Sequence, residues 1–244
     1  MNIKPNSEGI FYPKTSKALL NLFNKYSLIS DSKESKLIII PHAGYEFSGN
    51  LAFKTYQYFK KDLREILIIA PAIYNKLYGI ITSNAENFTT PLGPVKIRPY
   101  KCEINNKICR TEPSISVQMP LIKYLFPETE VIPVIYGCED YNNITKIIRE
   151  KYFQGAGIAI VTNLSRFVPA RQALKLDNQT SRMIEKLQIQ DLDNELADGA
   201  VGICAAIKFA QENNLIFTPT GHNLSSDVND DTSSVVGYGG WYMG

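Results

Sequence analysis

Four short apolar runs constrain the fold of this chain more than any other feature. KLIIIP (36–41), EILIIAP (65–71), VIPVIYG (131–137) and GIAIVTN (157–163) are continuous stretches rich in β-branched residues. None alternates polar with apolar, so each reads as a strand buried on both faces, although the proline in the third weakens that reading. Segments of helical spacing lie before, between and after them: TSKALLNLFNKYS (15–27) behind a Thr/Ser cap, SGNLAFKTYQYFKK (48–61) with Ser48 near its cap, YNNITKIIREKYF (141–153), 169–187 and 199–213. Residues 215–219 and 233–243 close the chain with β character. Strands alternating with helices predict an α/β fold, a three-layer α/β/α sandwich around a mostly parallel sheet. At 244 residues, 44% of them hydrophobic, the chain is long enough to bury such a core without disulfides, and it is expected to form a single domain over 1–244.

Charge narrows the partners. A net charge of +2, from 26 basic and 24 acidic residues, leaves no electrostatic footprint for nucleic acid, and RPYKCEINNK (98–107) mixes signs as a solvated edge does. No apolar stretch reaches the ~18 residues of a membrane span. MNIKPNSEGIFYPK lacks an apolar core of signal-peptide length, and the four cysteines form no C-x-x-C pair. A cytoplasmic protein that engages neither membrane nor nucleic acid is expected. Nucleotide-cradling glycine patterns and G-x-S-x-G are absent.

In mostly parallel sheets, ligands gather beyond the carboxyl ends of the strands. Here those ends are Pro41 to Tyr45, Pro71 to Tyr74, Gly137 with Cys138, and Thr162 to Arg166. The stretch IIIPHAGYEFSGN (38–50) places His42, one of only two histidines, on that rim.

The same residues carry a resemblance. PHAGYEFSG (41–49) resembles the signature of the Memo family, whose bacterial and archaeal members are called AmmeMemoRadiSam system protein B. GIFYP (9–13), TPLGPVKI (90–97), EPSISVQMPLIKYLFP (112–127), VIPVIYG and SSDVNDDTSSVVGYGG (225–240) are similar to further family segments, so the resemblance covers nearly the whole chain. It implies a fold related to the class III non-haem iron extradiol dioxygenases, and an iron or copper ion held by two histidines and a cysteine. Of those ligand positions only His42 is retained. Ile73, in APAIY (70–74), stands at the second histidine, and Leu196, in LADGAV (196–201), at the cysteine. Cys204, eight residues on and expected within a helix, does not inherit that role. In VTNLSR (161–166), Asn163 replaces the family's acid and Arg166 its histidine. Pro113 and Ser116 replace a histidine and a glutamate, while Glu112 and Gln118 remain.

The candidate cleft is therefore His42, Tyr45, Tyr74, Glu112, Gln118, Asn163, Ser165 and Arg166. His42 reads as a lone ligand, a general acid/base, or a turn histidine bonded to backbone. Arg166 reads as an anion ligand or as half of an ion pair, with Glu112 as its internal candidate partner. Glu112 reads as a general base or, preferably, as a structural carboxylate. Tyr45, Tyr74 and Tyr78 are candidates to line the cleft, Cys138 reads as a buried inert thiol, and His222 as a loop residue. No cofactor is expected, and the partners are a small anion or another protein. The expected function is a divergent family member with a degraded metal site, a pseudoenzyme acting as a binding or scaffold protein. The alternative is a metal-dependent oxidoreductase, or a hydrolase with a rebuilt site.

Overall fold

The computed structural model describes residues 1–29 and 33–244. Among these, the strands in chain order are β1 Asn2–Ile3, β2 Leu37–Ile40, β3 Glu65–Pro71, β4 Ile80–Thr82, β5 Asn87–Thr90, β6 Gly93–Lys96, β7 Glu103–Ile104, β8 Glu130–Tyr136, β9 Gly157–Val161, β10 Arg166–Val168, β11 Phe217–Leu224 and β12 Val235–Met243. The four apolar runs become β2, β3, β8 and β9. They lie side by side in the order β2-β9-β3-β8, all parallel, so their carboxyl ends share one rim. Antiparallel elements extend the sheet on both sides. β4 pairs with β8, and β12 pairs with β2, β10 and β11. β1, β5 and β6 form a separate small sheet.

Strand alternation splits the apolar side chains into two cores. Ile38, Ile40, Ile66 and Ile68 face one side, with Phe53, Tyr56 and Ile122. Leu37, Ile39, Leu67 and Ile69 face the other, with Ile148, Ile203 and Phe209 from the helices Tyr141–Phe153 and Ala200–Asn213. Helices thus cover both faces, and the runs do not alternate because neither face meets water. Burying each such Ile or Leu is worth about 1.5–3 kcal/mol. Pro133 is accommodated inside β8 because the β4 ladder ends at Thr82↔Val134, and Thr82 Oγ1 donates to the Pro133 carbonyl at 2.7 Å.

The elements read at 48–61 and 215–219 differ from the sequence reading. The helix expected over 48–61 is a π-helical turn, Tyr45–Gly49, continuing as an α-helix over Asn50–Tyr56. Ser48 does not cap it from outside; its Oγ accepts the Ala43 N–H at 3.1 Å from within the π turn. The chain leaves the helix early because Tyr58 O and Lys60 N bond to Ser35, at 2.7 and 3.4 Å, ahead of β2. The closing β segment is longer than 215–219, since β11 runs to Leu224 against β12. His222 is therefore a strand residue, opposite Gly239, and not a loop residue. The expected helix start at 15 holds, with Thr15 Oγ1 accepting the Ala18 N–H at 3.3 Å. The 98–107 tract also behaves as read: β7, with both residues exposed, is the outer edge of the sheet.

Candidate strand-end site

β2 and β9 are neighbours in parallel register, so the residues just past their ends must meet. The His42 backbone N–H donates to Asn163 Oδ1 at 3.0 Å. The His42 ring is turned inward. Its Nε2 lies 3.0 and 3.1 Å from the two carboxylate oxygens of Asp198, and the two side chains are only 5% and 3% exposed. Asp198 also accepts the Asn163 N–H at 2.8 Å. A buried carboxylate requires partners of this kind, because leaving it unpaired costs several kcal/mol, roughly.

Gly199 makes this approach possible. A Cβ there would fall 2.6 Å from the Val161 carbonyl oxygen and 2.5 Å from Thr162 Cβ, so only glycine lets Asp198 close on the β9 end. The Gly199 N–H donates to Thr162 Oγ1 at 2.9 Å, tying the same turn again. Arg166 adds a second charge to the carboxylate. One guanidinium nitrogen stands 3.9 Å from Asp198 Oδ2, and another donates to the Asn194 carbonyl at 3.2 Å. The Arg166 side chain is about one-third exposed, so its outer donors face water. Burial, and secondarily the charge of Asp198, push the phenols of Tyr136 and Tyr238 above their ordinary pKa.

The loop Thr162 to Arg166 reaches a second buried carboxylate. The Ser165 N–H donates to Asp177 Oδ1 at 2.9 Å, and Asp177 Oδ2 lies 2.7 Å from His222 Nε2. Both histidines of the chain thus pair with a buried aspartate, and both aspartates hold backbone of one strand-end loop. Gly237 admits Asp177, since a Cβ there would sit 1.9 Å from its Oδ2. Ser165 Oγ is buried without a hydrogen-bond partner. Phe167, next to Arg166, holds a left-handed φ of 55° and is exposed.

Glu112 does not reach Arg166. It is fully buried and accepts from the backbone N–H groups of Ile73, Tyr74 and Asn75 at 2.9–3.0 Å, and from Asn75 Nδ2 at 2.8 Å. It closes the loop after β3, and among the described residues no cation forms an ion pair with it. Gln118 is buried too, donating through Nε2 to the Pro41 carbonyl at 3.0 Å. Tyr45 does not line a cleft. It is buried in the core, with its hydroxyl donating to the Val117 carbonyl at 2.6 Å, because the π turn points its ring inward. Tyr74 and Tyr78 project outward, 65% and 68% exposed. Cys138 is exposed and not buried, since the chain past β8 runs along the surface. Cys204 lies in the helix Ala200–Asn213, where burial raises its thiol pKa to about 11.

The donor set implied by the resemblance is not assembled from these residues. Ile73 offers only an aliphatic side chain, and Leu196 lies buried in the core. Among the described residues, no three of His, Cys, Asp and Glu cluster closely enough to hold a metal ion. Asp198 is the residue that sequence reasoning missed. It lies two positions beyond Leu196 in LADGAV, an acid in an otherwise apolar stretch ahead of a helix.

Fold and site together define an α/β protein with a polar cluster sealed beneath the carboxyl ends of its parallel strands. The family described as Memo-like protein matches residues 4–242, and the chain belongs to it. A MEMO1 family protein of Archaeoglobus fulgidus is 23% identical over 257 residues, covering 97% of each chain. Its counterpart in Thermotoga maritima is 27% identical over 273 residues, covering 98% of each. One from Thermoplasma acidophilum is 27% identical over 266 residues, covering 98% of this chain and 97% of the other.

Proposed function

We propose that this chain is a Memo-family protein, a single domain over 1–244, whose strand-end site has exchanged metal chemistry for a buried histidine–carboxylate pair. On this reading it is a non-catalytic binding protein, and its ligand is a small anion. The observation that carries the reading is the position of Asp198. Its carboxylate takes the His42 ring nitrogen that would otherwise be free, and the other two ligand positions hold Ile73 and Leu196. Asp198 also moderates the anion idea, because it already partly balances Arg166. What remains for a ligand is the outward edge of the guanidinium, suited to a single carboxylate or phosphate held bidentately.

Thermal denaturation in acetate, phosphate or sulfate at matched ionic strength tests this. The parent protein is expected to gain a few degrees, and Arg166→Met is expected to lose that gain while folding normally. Equal melting temperatures with and without every anion would reject the ligand.

A further inference from the structure

A cleft of about 1070 Å³ opens at the other end of the sheet from His42. It lies beneath the amino ends of all four parallel strands, and its walls come from the residues just ahead of β2, β3, β8 and β9. Its charges are unequally satisfied. Glu65 is held by two cations, Arg98 and Lys151, and Glu130 is held by Lys96. Both carboxylates of the inner wall are therefore ion-paired, although Glu65 Oε1 makes no hydrogen bond. Lys36, Lys61 and Arg64 have no carboxylate within ion-pair distance among the described residues. Lys60 has only Glu34, at 3.8 Å, with both side chains about half exposed.

Lys36 is the most constrained of these cations. Its ammonium lies 3.9 Å from the centroid of the Tyr152 ring and donates to the Tyr152 carbonyl at 3.3 Å. Burial, then the neighbouring Lys60 ammonium, lowers its pKa. Two ammonium groups lining one concave surface favour an anion between them. Gly155, at φ +90° with open space where a Cβ would be, lets a ligand approach the backbone on the same wall. The remaining lining acids, Asp62 and Glu128, are exposed.

We propose that this cleft binds a small multivalent oxyanion, a phosphate-bearing or polycarboxylate metabolite, with Lys36 and Arg64 as its main ligands and Lys60 and Lys61 closing over it. The site is separate from the strand-end rim and does not depend on the reading given to Arg166.

Titration calorimetry of the full chain at low salt, with inorganic pyrophosphate in one arm and citrate in the other, tests it. In the Arg166→Met background, which removes the strand-end anion ligand, saturable one-site binding is expected in at least one arm, and the tighter arm identifies the source of the oxyanion. Lys36→Met and Arg64→Gln should each weaken binding about tenfold or more, the loss of one charge-assisted contact. Arg166→Met should leave the component that these two variants weaken unchanged. Arg64 is exposed, so its variant remains informative even if Lys36→Met folds poorly. Absence of saturable heat with both anions overturns the proposal. So does an affinity unaffected by Arg64→Gln, or one abolished by Arg166→Met.

Discussion

The two histidine–aspartate pairs use the same chemistry in different surroundings. His42–Asp198 is closed on both sides, whereas His222–Asp177 joins a carboxylate 1% exposed to a ring 36% exposed. Each aspartate also holds a backbone N–H of the loop after β9, at Asn163 for one and Ser165 for the other. The aspartates are thus equivalent as loop anchors, and the histidines are not. His222 can exchange its partner for water, while His42 cannot. A buried pair is not by itself evidence of net stabilisation, because desolvation offsets the attraction, but breaking one leaves an uncompensated polar group. The contrast therefore lies in what removal costs.

The largest expected effect is Asp198→Ala. It leaves the His42 ring and the Asn163 N–H buried without their acceptor, and should lower unfolding free energy by about 3–5 kcal/mol in urea denaturation. Asp177→Ala should cost less, about 1–3 kcal/mol, since only the Ser165 N–H is stranded. Equal losses from the two would remove the distinction between closed and open pairs. His222→Ala should cost about 1–2 kcal/mol, because Asp177 keeps the Ser165 N–H and water can enter where the half-exposed ring stood.

The smallest effect, at neutral pH, is the one that titration exposes. Tyr136 and Tyr238 have folded pKa values raised above the unfolded value of about 10. Their neutral form is the one the fold accepts. That contribution is complete below about pH 10 and is lost as pH rises from there toward the folded pKa. Melting temperature should fall above about pH 10, and the fall should be shallower in Tyr136→Phe, which removes one of these titrations. An equally steep fall in the parent and in Tyr136→Phe would contradict the burial of this ring beside Asp198.

The strands were legible because each apolar run is local, and the parallel order follows from the helices between them. The location of His42 at the rim was legible for the same reason. The partners were not. Asp198 is 156 positions from His42, and Asp177 is 45 from His222, so no periodic pattern connects them. The physical signal was available in a weaker form: an aspartate inside LADGAV must find a buried donor, and the chain has only two histidines to offer. The partners of Glu112 are backbone amides, which no charge count reveals. Tyr45 was misplaced because a π turn rotates the side chain away from where an α-helix would carry it.

The central claim is that Asp198, and not a metal ion, is the partner of the His42 ring. It is tested most directly by equilibrating purified protein with iron(II), copper(II) or zinc(II), desalting it, and measuring retained metal in the parent and in His42→Ala. The account predicts well under one equivalent per chain, with no difference between the two proteins. About one equivalent in the parent that disappears in His42→Ala would contradict it.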